Sequence, residues 1–268
     1  NALFSTEMEI YSHRGEGFKF KENTLEAFKE AFKNKINVEL DVRLTADKQV
    51  VVFHDENLVR LFGINKKIIE LKYSELTNLN YKIPLLSEVL KLSKNYPITL
   101  AIQPKESSSE LIDNLLTQLR TNGYLTNKFI NSFFIFDVNL KKIKKIKKYN
   151  SNIKIGVSVG DSNLFPNKKY PTIFPHPLDI SADLYDIIWL DEWVSGLLNK
   201  SVITHYLKLN KEIIIVSPEL HQLTTPMHPN ANNFQKVWKK LHLLDIDGIC
   251  TDHPLLCRTE IHKRIPLN

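Results

Sequence analysis

Two acidic residues and two histidines stand out near the start of the chain. Glu39 and Asp41 lie two positions apart in NVELDVRL, and His13 and His54 each end a short apolar run. Residues two apart on a strand point to the same side, so these carboxylates would repel each other unless a cation lay between them. Mg²⁺ and Ca²⁺ both take such oxygen ligands. The pattern predicts one divalent cation, Mg²⁺ or Ca²⁺, held by Glu39 and Asp41.

Two histidines beside such a cation can serve as acid and base. Arg14 directly follows His13, and its guanidinium offers a bidentate grip on a phosphate. An isolated E-x-D pair on a strand is more often a salt-bridged rim pair, but its combination with His13, Arg14 and His54 favours phosphodiester cleavage. We therefore predict His13 and His54 as catalytic residues and Arg14 as a phosphate-binding residue.

Short apolar runs alternate with amphipathic stretches along the chain, a pattern typical of a parallel sheet covered by helices. Nine such runs occur, at 8–13, 36–42, 49–54, 97–103, 128–134, 152–159, 185–191, 212–217 and 246–251. The third follows the second through a short polar turn, and we interpret it as a hairpin-like excursion beside strand two. The remaining eight predict an α/β fold, a (β/α)8 TIM barrel, with its active site at the carboxyl ends of the strands.

The predicted helices begin with one capped by Asn23 or Thr24. The others fall near 86–95, 108–121, 138–149, 198–209 and 232–243. The chain has no long Pro/Gly/Ser-rich linker and no internal repeat. We therefore predict a single domain over residues 1–268 with a short insertion after strand two.

The net charge of +6 comes from 36 basic and 30 acidic residues spread along the chain, and suits an anionic small substrate or a nucleic acid. The lysine-rich stretch 139–150 places Leu140, Ile143 and Ile146 on one helix face, which favours an ordinary barrel helix over a nucleic-acid or membrane site. We expect a small-molecule phosphodiester as partner, no nucleic acid and no stable membrane insertion, with the oligomeric state open. The two cysteines provide no disulfide framework, which favours a cytoplasmic location.

Four segments, SHRGEG, KENTLEAF, VELDVRLT and VVFHDE, resemble in their order the motifs of the glycerophosphodiester phosphodiesterases. The similarity continues in KIPLLSEVL, INSFF and DIDGICTDHP, and so covers almost the whole chain. The resemblance implies a TIM barrel that hydrolyses a phosphodiester with the help of a metal ion. It also implies that His13 and His54 are the general acid/base histidines and that Glu39 and Asp41 are metal ligands. Arg14 and Glu22 match the family's phosphate-binding and site-ordering positions.

The chain departs from the family on strands three, six and seven. Members usually carry a third acidic ligand on strand three and a lysine two residues later, where LAIQP has Ala101 and Gln103. Strand six brings Asp191 in WLDEW, and strand seven brings Glu219 and His221 in SPELHQ. We predict that Gln103, Asp191, Glu219 and His221 bind substrate, with the tryptophans suited to a sugar or polyol. Alternatively, the tryptophans pack between strand and helix and the acids form salt bridges at the rim.

We expect metal-dependent hydrolysis of a glycerophosphodiester or a sugar- or polyol-phosphate diester to an alcohol and a phosphomonoester such as glycerol 3-phosphate. The alternative is an impaired barrel that binds phosphodiester or sugar-phosphate ligands without cleaving them, because of Ala101. The self-repelling pair of Glu39 and Asp41 favours the enzyme, since an idle site has no need of it. A third hypothesis is a lipid-cleaving relative that forms a cyclic phosphate.

Overall fold

The computed structural model describes residues 8–105, 108–161, 171–224 and 227–262. Twelve strands form in these ranges. They are β1 (Glu9–His13), β2 (Asn37–Leu44), β3 (Val50–Val52), β4 (Asn57–Leu58), β5 (Ile64–Lys67), β6 (Leu100–Pro104), β7 (Phe133–Phe136), β8 (Ile155–Gly160), β9 (Ile173–Phe174), β10 (Ile187–Asp191), β11 (Glu212–Val216) and β12 (Gly248–Thr251).

Eight parallel strands form a closed barrel, in the order β1-β2-β6-β7-β8-β10-β11-β12 with β12 paired back to β1. The predicted TIM barrel is therefore confirmed. β3 lies antiparallel to β2 outside this ring, which confirms the hairpin-like excursion. The short β9 pairs with β8.

Helices connect the strands and cover the barrel. They are α1 (Leu25–Lys33), α2 (Val59–Phe62), α3 (Tyr73–Leu76), α4 (Leu86–Ser93), α5 (Ser109–Thr121), α6 (Leu140–Tyr149), α7 (Lys200–Leu207), α8 (Phe234–His242) and α9 (Pro254–His262). Thr24 caps α1, and the lysine-rich α6 buries Ile143 and Ile146 against the barrel as predicted. No helix within the described ranges has the length and apolar character needed to cross a membrane.

The predicted short insertion lies between β3 and α4. It contains the β4–β5 hairpin, α2 and α3. A small apolar cluster of its own, which includes Phe53, Leu58 and Ile68, packs it together. This segment carries Arg60 toward the residues that follow β1.

Aromatic and aliphatic side chains fill the inside of the barrel. They are Tyr11, Ala101, Phe134, Phe136, Ile187, Trp189, Ile214, Val216 and Cys250. Ala101 thus lies in an apolar layer at the position where the family usually has an acid. This packing closes the barrel interior, so the polar residues beyond it face the open carboxyl end.

Glu39 and Asp41 lie inside β2, which extends beyond the predicted run of 36–42. The strand continues to Leu44, because residues 42–44 pair with β3 beyond the barrel. Both acids are therefore held within a continuous strand and are almost fully buried, at 2% and 1% exposure.

Candidate active site

A cavity of about 430 Å³ lies at the carboxyl ends of the barrel strands. It brings together seven of the predicted site residues, namely His13, Arg14, Glu39, His54, Gln103, Asp191 and His221. Lys105, Asp137, Phe136, Trp189 and Trp193 also line it. Asp41 is buried beside this cavity, where it contacts Arg14, and Glu22 reaches the site only through arginine side chains.

The H-R-G segment forms a tight turn directly after β1. Arg14 and Gly15 both have positive φ angles, of 54° and 74°. A Cβ atom on Gly15 would lie 2.9 Å from the Phe28 ring, so only glycine fits this close approach to α1. The turn directs the backbone N–H of Arg14 to Glu39, where it donates to Oε2 at 3.1 Å.

Each residue of the E-N-T motif has a separate contact. Glu22 accepts a hydrogen bond from Arg14 Nη1 at 3.2 Å, and Thr24 caps α1. Asn23 donates through Nδ2 to Asp41 Oδ2 at 3.0 Å. Sequence reasoning treated Asn23 only as a possible helix cap; its adjacency to Glu22 was the available signal for a site role.

Each histidine is oriented by an aspartate. His13 Nδ1 donates to Asp252 at 2.7 Å, and His54 Nδ1 donates to Asp55 at 2.6 Å. An ionised carboxylate only accepts hydrogen bonds, so the proton of the neutral imidazole lies on Nδ1 in both cases. Nε2 is then the nitrogen left for proton transfer to or from a substrate.

The two histidines have opposite pKa shifts. Burial alone would lower the pKa of His13, but the hydrogen bond to Asp252 and the negative charges of Asp252 and Glu39 together outweigh it and raise the pKa above its ordinary value. Burial lowers the pKa of His54, although Asp41 and Asp55 oppose this change. Near neutral pH, His13 is therefore the better proton donor and His54 the better acceptor.

Two arginines support His54 and its aspartate. Arg43 donates from Nε and Nη2 to the His54 carbonyl oxygen, at 2.9 and 2.7 Å. Arg60 donates to Asp55 Oδ2 at 2.7 Å and to Glu22 Oε1 at 2.6 Å. Sequence reasoning missed both arginines. The Arg43 contact depends on the pairing of β2 with β3, and the Arg60 contacts depend on how the insertion folds back over the barrel.

The two carboxyl groups of the acidic pair on β2 have pKa shifts of opposite direction. Burial, together with the charge of Asp41, raises the pKa of Glu39 to about 7. Burial would also raise the pKa of Asp41, but the positive charges of His54, Lys105 and Arg14, with the hydrogen bond from Asn23, together outweigh it and hold that pKa well below its usual range. Asp41 Oδ1 is buried and accepts no hydrogen bond within the described residues.

The two carboxylates fit a cation whose remaining ligands are water and substrate oxygens. Mg²⁺ is commonly bound in this way, through one or two carboxylates, and the unpartnered Asp41 Oδ1 offers a free ligand atom. Within the described ranges, no group of three or more His, Cys, Asp or Glu residues is arranged to hold a metal ion. The chain therefore does not build a closed protein cage for an ion there.

The third barrel strand, β6, places the side-chain amide of Gln103 between two charged groups. Gln103 Nε2 donates to Asp137 Oδ2, and Gln103 Oε1 accepts from Lys105 Nζ at 3.2 Å. Lys105 Nζ also lies 3.7 Å from Asp41 Oδ1. Neither Lys105 nor Asp137 was among the predicted site residues.

The sixth and seventh barrel strands, β10 and β11, and the segments that follow them form the opposite wall of the cavity. His221 Nε2 donates to Asp191 Oδ1 at 2.6 Å, and Trp193 Nε1 donates to Asp191 Oδ2 at 2.7 Å. The His221 and Trp193 rings lie 4.8 Å apart. Burial would lower the pKa of His221, but the charge of Asp191, its hydrogen bond to His221 and the charge of Asp161 together outweigh burial and raise this pKa. Trp189 and Trp193 both line the cavity, as the substrate-binding interpretation predicts. Asp191 forms an ion pair with His221, as the salt-bridge interpretation predicts.

Glu219 is not brought to the cavity. Its carboxylate accepts hydrogen bonds from the hydroxyl groups of Ser217 and Thr251 and is 6% exposed. Burial raises its pKa despite these two hydrogen bonds. The predicted contact between Glu219 and substrate therefore has no geometric support, because both carboxylate oxygens are already used inside the fold.

The sequence and fold are similar to known phosphodiesterases. The chain is 27% identical to lysophospholipase D GDPD1 from Homo sapiens, over 94% of this chain and 85% of that protein. It is 26% identical to a glycerophosphodiester phosphodiesterase from Bacillus altitudinis, over 92% of this chain and 95% of that protein.

Two solved structures have the same architecture. The glycerophosphodiester phosphodiesterase of Thermotoga maritima matches with a TM-score of 0.66 and 25% identity, over 95% of this chain and 98% of that chain. An Oleispira antarctica phosphodiesterase in complex with the product sn-glycerol-3-phosphate matches with a TM-score of 0.72 and 18% identity, over 94% and 96% of the respective chains. The profile of the glycerophosphoryl diester phosphodiesterase family matches residues 13–183, and the chain therefore belongs to this family of phosphoric diester hydrolases.

Proposed function

We propose that this enzyme hydrolyses a glycerophosphodiester to an alcohol and glycerol 3-phosphate, with His13 and His54 as its acid and base. The observation that carries the proposal is the pair of His–Asp contacts in one cavity, with pKa shifts of opposite direction. Arg14 lines the same cavity and supplies a positive charge for the phosphate.

Hydrolysis requires one proton to be removed and one to be delivered. Neutral His54 accepts a proton at Nε2 from the water that attacks phosphorus, and a P–O bond forms. The bond between phosphorus and the leaving oxygen breaks, and protonated His13 gives its Nε2 proton to that oxygen. Asp55 and Asp252 hold the two rings in the required tautomer. The products are an alcohol and a phosphomonoester.

Glu39 and Asp41 would hold the divalent ion on which the family generally depends. Such an ion supplies positive charge to the phosphoryl oxygens as negative charge develops on them. Two carboxylates without a third acidic ligand favour Mg²⁺ over Ca²⁺, because Ca²⁺ takes six to eight oxygen ligands. Asn23 orients Asp41, and the Arg14 backbone orients Glu39.

A glycerophosphodiester is supported by the similarity to relatives that bear this name and to a phosphodiesterase solved with sn-glycerol-3-phosphate. The cavity has a charged end at Arg14 and an aromatic wall at Trp189 and Trp193. A phosphate at the charged end would direct one alcohol group toward Asp191 and His221. We propose these two residues, and not Glu219, as the contacts for that group.

A lysophospholipid is the second candidate substrate. Ile173 and Leu220 form an apolar wall of the cavity, and Leu223, two residues beyond His221, is 97% exposed. Leu223 adjoins Thr224, which also lines the cavity, so an exposed apolar side chain follows this wall along the chain. The human relative named lysophospholipase D points to the same substrate class.

We further propose that the chain acts as one catalytic unit in the cytoplasm, with a small-molecule substrate as its partner. All residues given a role in catalysis lie at the end of one barrel. Cys250 and Cys257 are both buried and unpaired, which suits a reducing compartment.

The test is to follow cleavage of glycerophosphocholine and lysophosphatidylcholine by ³¹P NMR with Mg²⁺, Mn²⁺ or Ca²⁺. We expect a metal-dependent phosphomonoester signal from at least one diester, and its loss in His13→Ala and His54→Ala. Greater turnover of lysophosphatidylcholine would favour the second candidate. Ligand binding without any turnover would instead support the impaired barrel, with Ala101 as the reason.

A further inference from the structure

Within the proposed phosphodiesterase function, the chain lacks the strand-three lysine at position 103 but has another lysine close by. Lys105 lies one residue beyond β6, on the same side of the chain as Gln103 because alternate residues share a side. Its side chain is 21% exposed and lines the cavity that also contains His13, Arg14 and His54. We propose that Lys105 is a second side-chain cation that, together with Arg14, binds the phosphoryl group of the diester in this enzyme.

The contacts of Lys105 leave it able to bind an anion. Its Nζ makes one hydrogen bond within the described residues, to the neutral amide oxygen of Gln103 at 3.2 Å. The separation of 3.7 Å from Asp41 Oδ1 is too long for a hydrogen bond. An ammonium group has three donors, so two remain for phosphate oxygens.

Asp41 has partners other than Lys105. Asn23 donates to Asp41 Oδ2 at 3.0 Å, and Arg14 Nε lies 3.4 Å from the same oxygen. Lys105, at 3.7 Å from Asp41 Oδ1, shares the charge of Asp41 with Arg14 without donating a hydrogen bond to it. This arrangement puts an ammonium group next to the site proposed for the phosphate.

Gln103 acts as a positioning residue for Lys105. Asp137 follows β7 with a φ of 56° and accepts from the Gln103 amide nitrogen. Because a carboxylate can only accept from the NH₂ group, this contact fixes the amide so that Oε1 faces Lys105. In this chain Ala101 and Gln103 replace the family's usual acid and lysine. Asp137 and Lys105 therefore supply an acid and a lysine instead, closer to the mouth of the barrel.

Four variants test this role by isothermal titration with glycerol 3-phosphate and with inorganic phosphate, beside kcat and KM for glycerophosphocholine. We expect Lys105→Gln to weaken glycerol 3-phosphate binding by about 10- to 100-fold, the loss typical of one charge-assisted hydrogen bond. Lys105→Arg keeps the charge and should stay within about threefold of the wild type. The double variant Gln103→Lys/Lys105→Gln should recover binding, because it returns a lysine to position 103 on β6.

Lys48→Gln is the matched control, since Lys48 pairs with the exposed Glu110 and lies outside the cavity. Unchanged binding in Lys105→Gln, a loss equal to that of Lys48→Gln, or no binding by the wild type would overturn the proposal. Thermal melts of each variant separate lost binding from lost folding, and Lys105→Arg keeps the test decisive if Lys105→Gln unfolds. If the wild type binds glycerol 3-phosphate through Lys105 but cleaves no diester, the proposed function fails and this inference stands.

Discussion

His13 and His54 have the same kind of partner but different electrostatic surroundings. Both donate from Nδ1 to an aspartate, at 2.7 and 2.6 Å. The positive charges of Lys105 and Arg14 disfavour protonation of His54. They add to the lowering of its pKa by burial. At His13 the hydrogen bond to Asp252 and the charges of Asp252 and Glu39 together prevail over burial and raise the pKa. The division into acid and base therefore arises from the neighbours of each ring.

This division predicts a bell-shaped pH dependence of kcat/KM for glycerophosphocholine. Activity should rise as His54 loses its proton, below the ordinary histidine pKa of 6.5, and fall as His13 loses its proton above 6.5. Asp252→Asn removes the charge that raises the His13 pKa, so the falling limb should move to lower pH. A falling limb that stays in place in this variant would contradict the assignment of His13.

The acidic pair predicts a pH-dependent affinity for Mg²⁺. Because the pKa of Glu39 lies at about 7, Mg²⁺ must displace a proton near neutral pH, and its affinity should weaken as the pH falls below 7. Glu39→Gln and Asp41→Asn should each weaken Mg²⁺ binding at least about tenfold. Isothermal titration at several pH values measures both effects, with the exposed Glu110→Gln as control. Unchanged affinity in Glu39→Gln would exclude Glu39 as a ligand.

Sequence reasoning found the site residues that stand beside a strand in a recognisable pattern. His13, Arg14, Glu39 and His54 all belong to this group, and all line the cavity. Asp252 is also part of a quoted motif, but its contact with His13 spans 239 positions and could not be inferred from local spacing. Glu219 was predicted because strand seven directs residues to the mouth, but Ser217 and Thr251 satisfy it inside the fold.

At the scale of elements, the insertion and the turn after β1 act together. Arg60, from the insertion, joins Asp55 to Glu22, and Glu22 in turn contacts Arg14. The insertion therefore helps to fix both a catalytic histidine and the phosphate-binding arginine. These contacts could not be predicted from the sequence, since no pattern in residues 57–67 indicates which surface the insertion covers.

Arg60→Ala should reduce kcat roughly tenfold, because Asp55 loses a partner that fixes its position. Its effect on stability should be below about 1 kcal/mol, since Arg60 is half exposed. The rising limb of the pH profile should move to higher pH, because the charge of Asp55 then acts on His54 without opposition. Lys67→Ala, which breaks an exposed ion pair in the same insertion, is the control. Equal kinetic effects of the two substitutions would show that Arg60 does not position the site.

Replacement by alanine should destabilise the protein more at Gly15, in the H-R-G turn, than at Gly63, in the insertion. Gly15→Ala should destabilise the protein by about 2 kcal/mol or more, through a positive φ angle and a clash with Phe28. Gly63→Ala has a similar φ angle, of 70°, but meets no atom within 4 Å, so it should cost only about 1 kcal/mol. Urea denaturation of both variants measures the difference. Equal losses would mean that the close approach to α1 carries no energetic weight.

At the scale of the whole molecule, the barrel was predictable because its strands are buried on both faces and form nearly continuous apolar runs. All eight barrel strands overlap the predicted runs, whereas β4, β5 and β9 and the helices α2, α3 and α9 were not predicted. Very short strands carry too few residues for a periodic signal. The charged side of the cavity comes largely from β1 and β2 with the segments after them, and the aromatic wall from β7 and β10. This asymmetry orients a diester between two different walls.

The most direct test of the central claim compares two substrates with different leaving groups. An alcohol such as choline must be protonated as it leaves phosphorus, whereas p-nitrophenolate departs without a proton. We expect His13→Ala to lose about 10²- to 10⁴-fold in kcat/KM with glycerophosphocholine but far less with bis(p-nitrophenyl) phosphate, and His54→Ala to lose activity with both. Equal losses with both substrates in His13→Ala would contradict its role as the general acid.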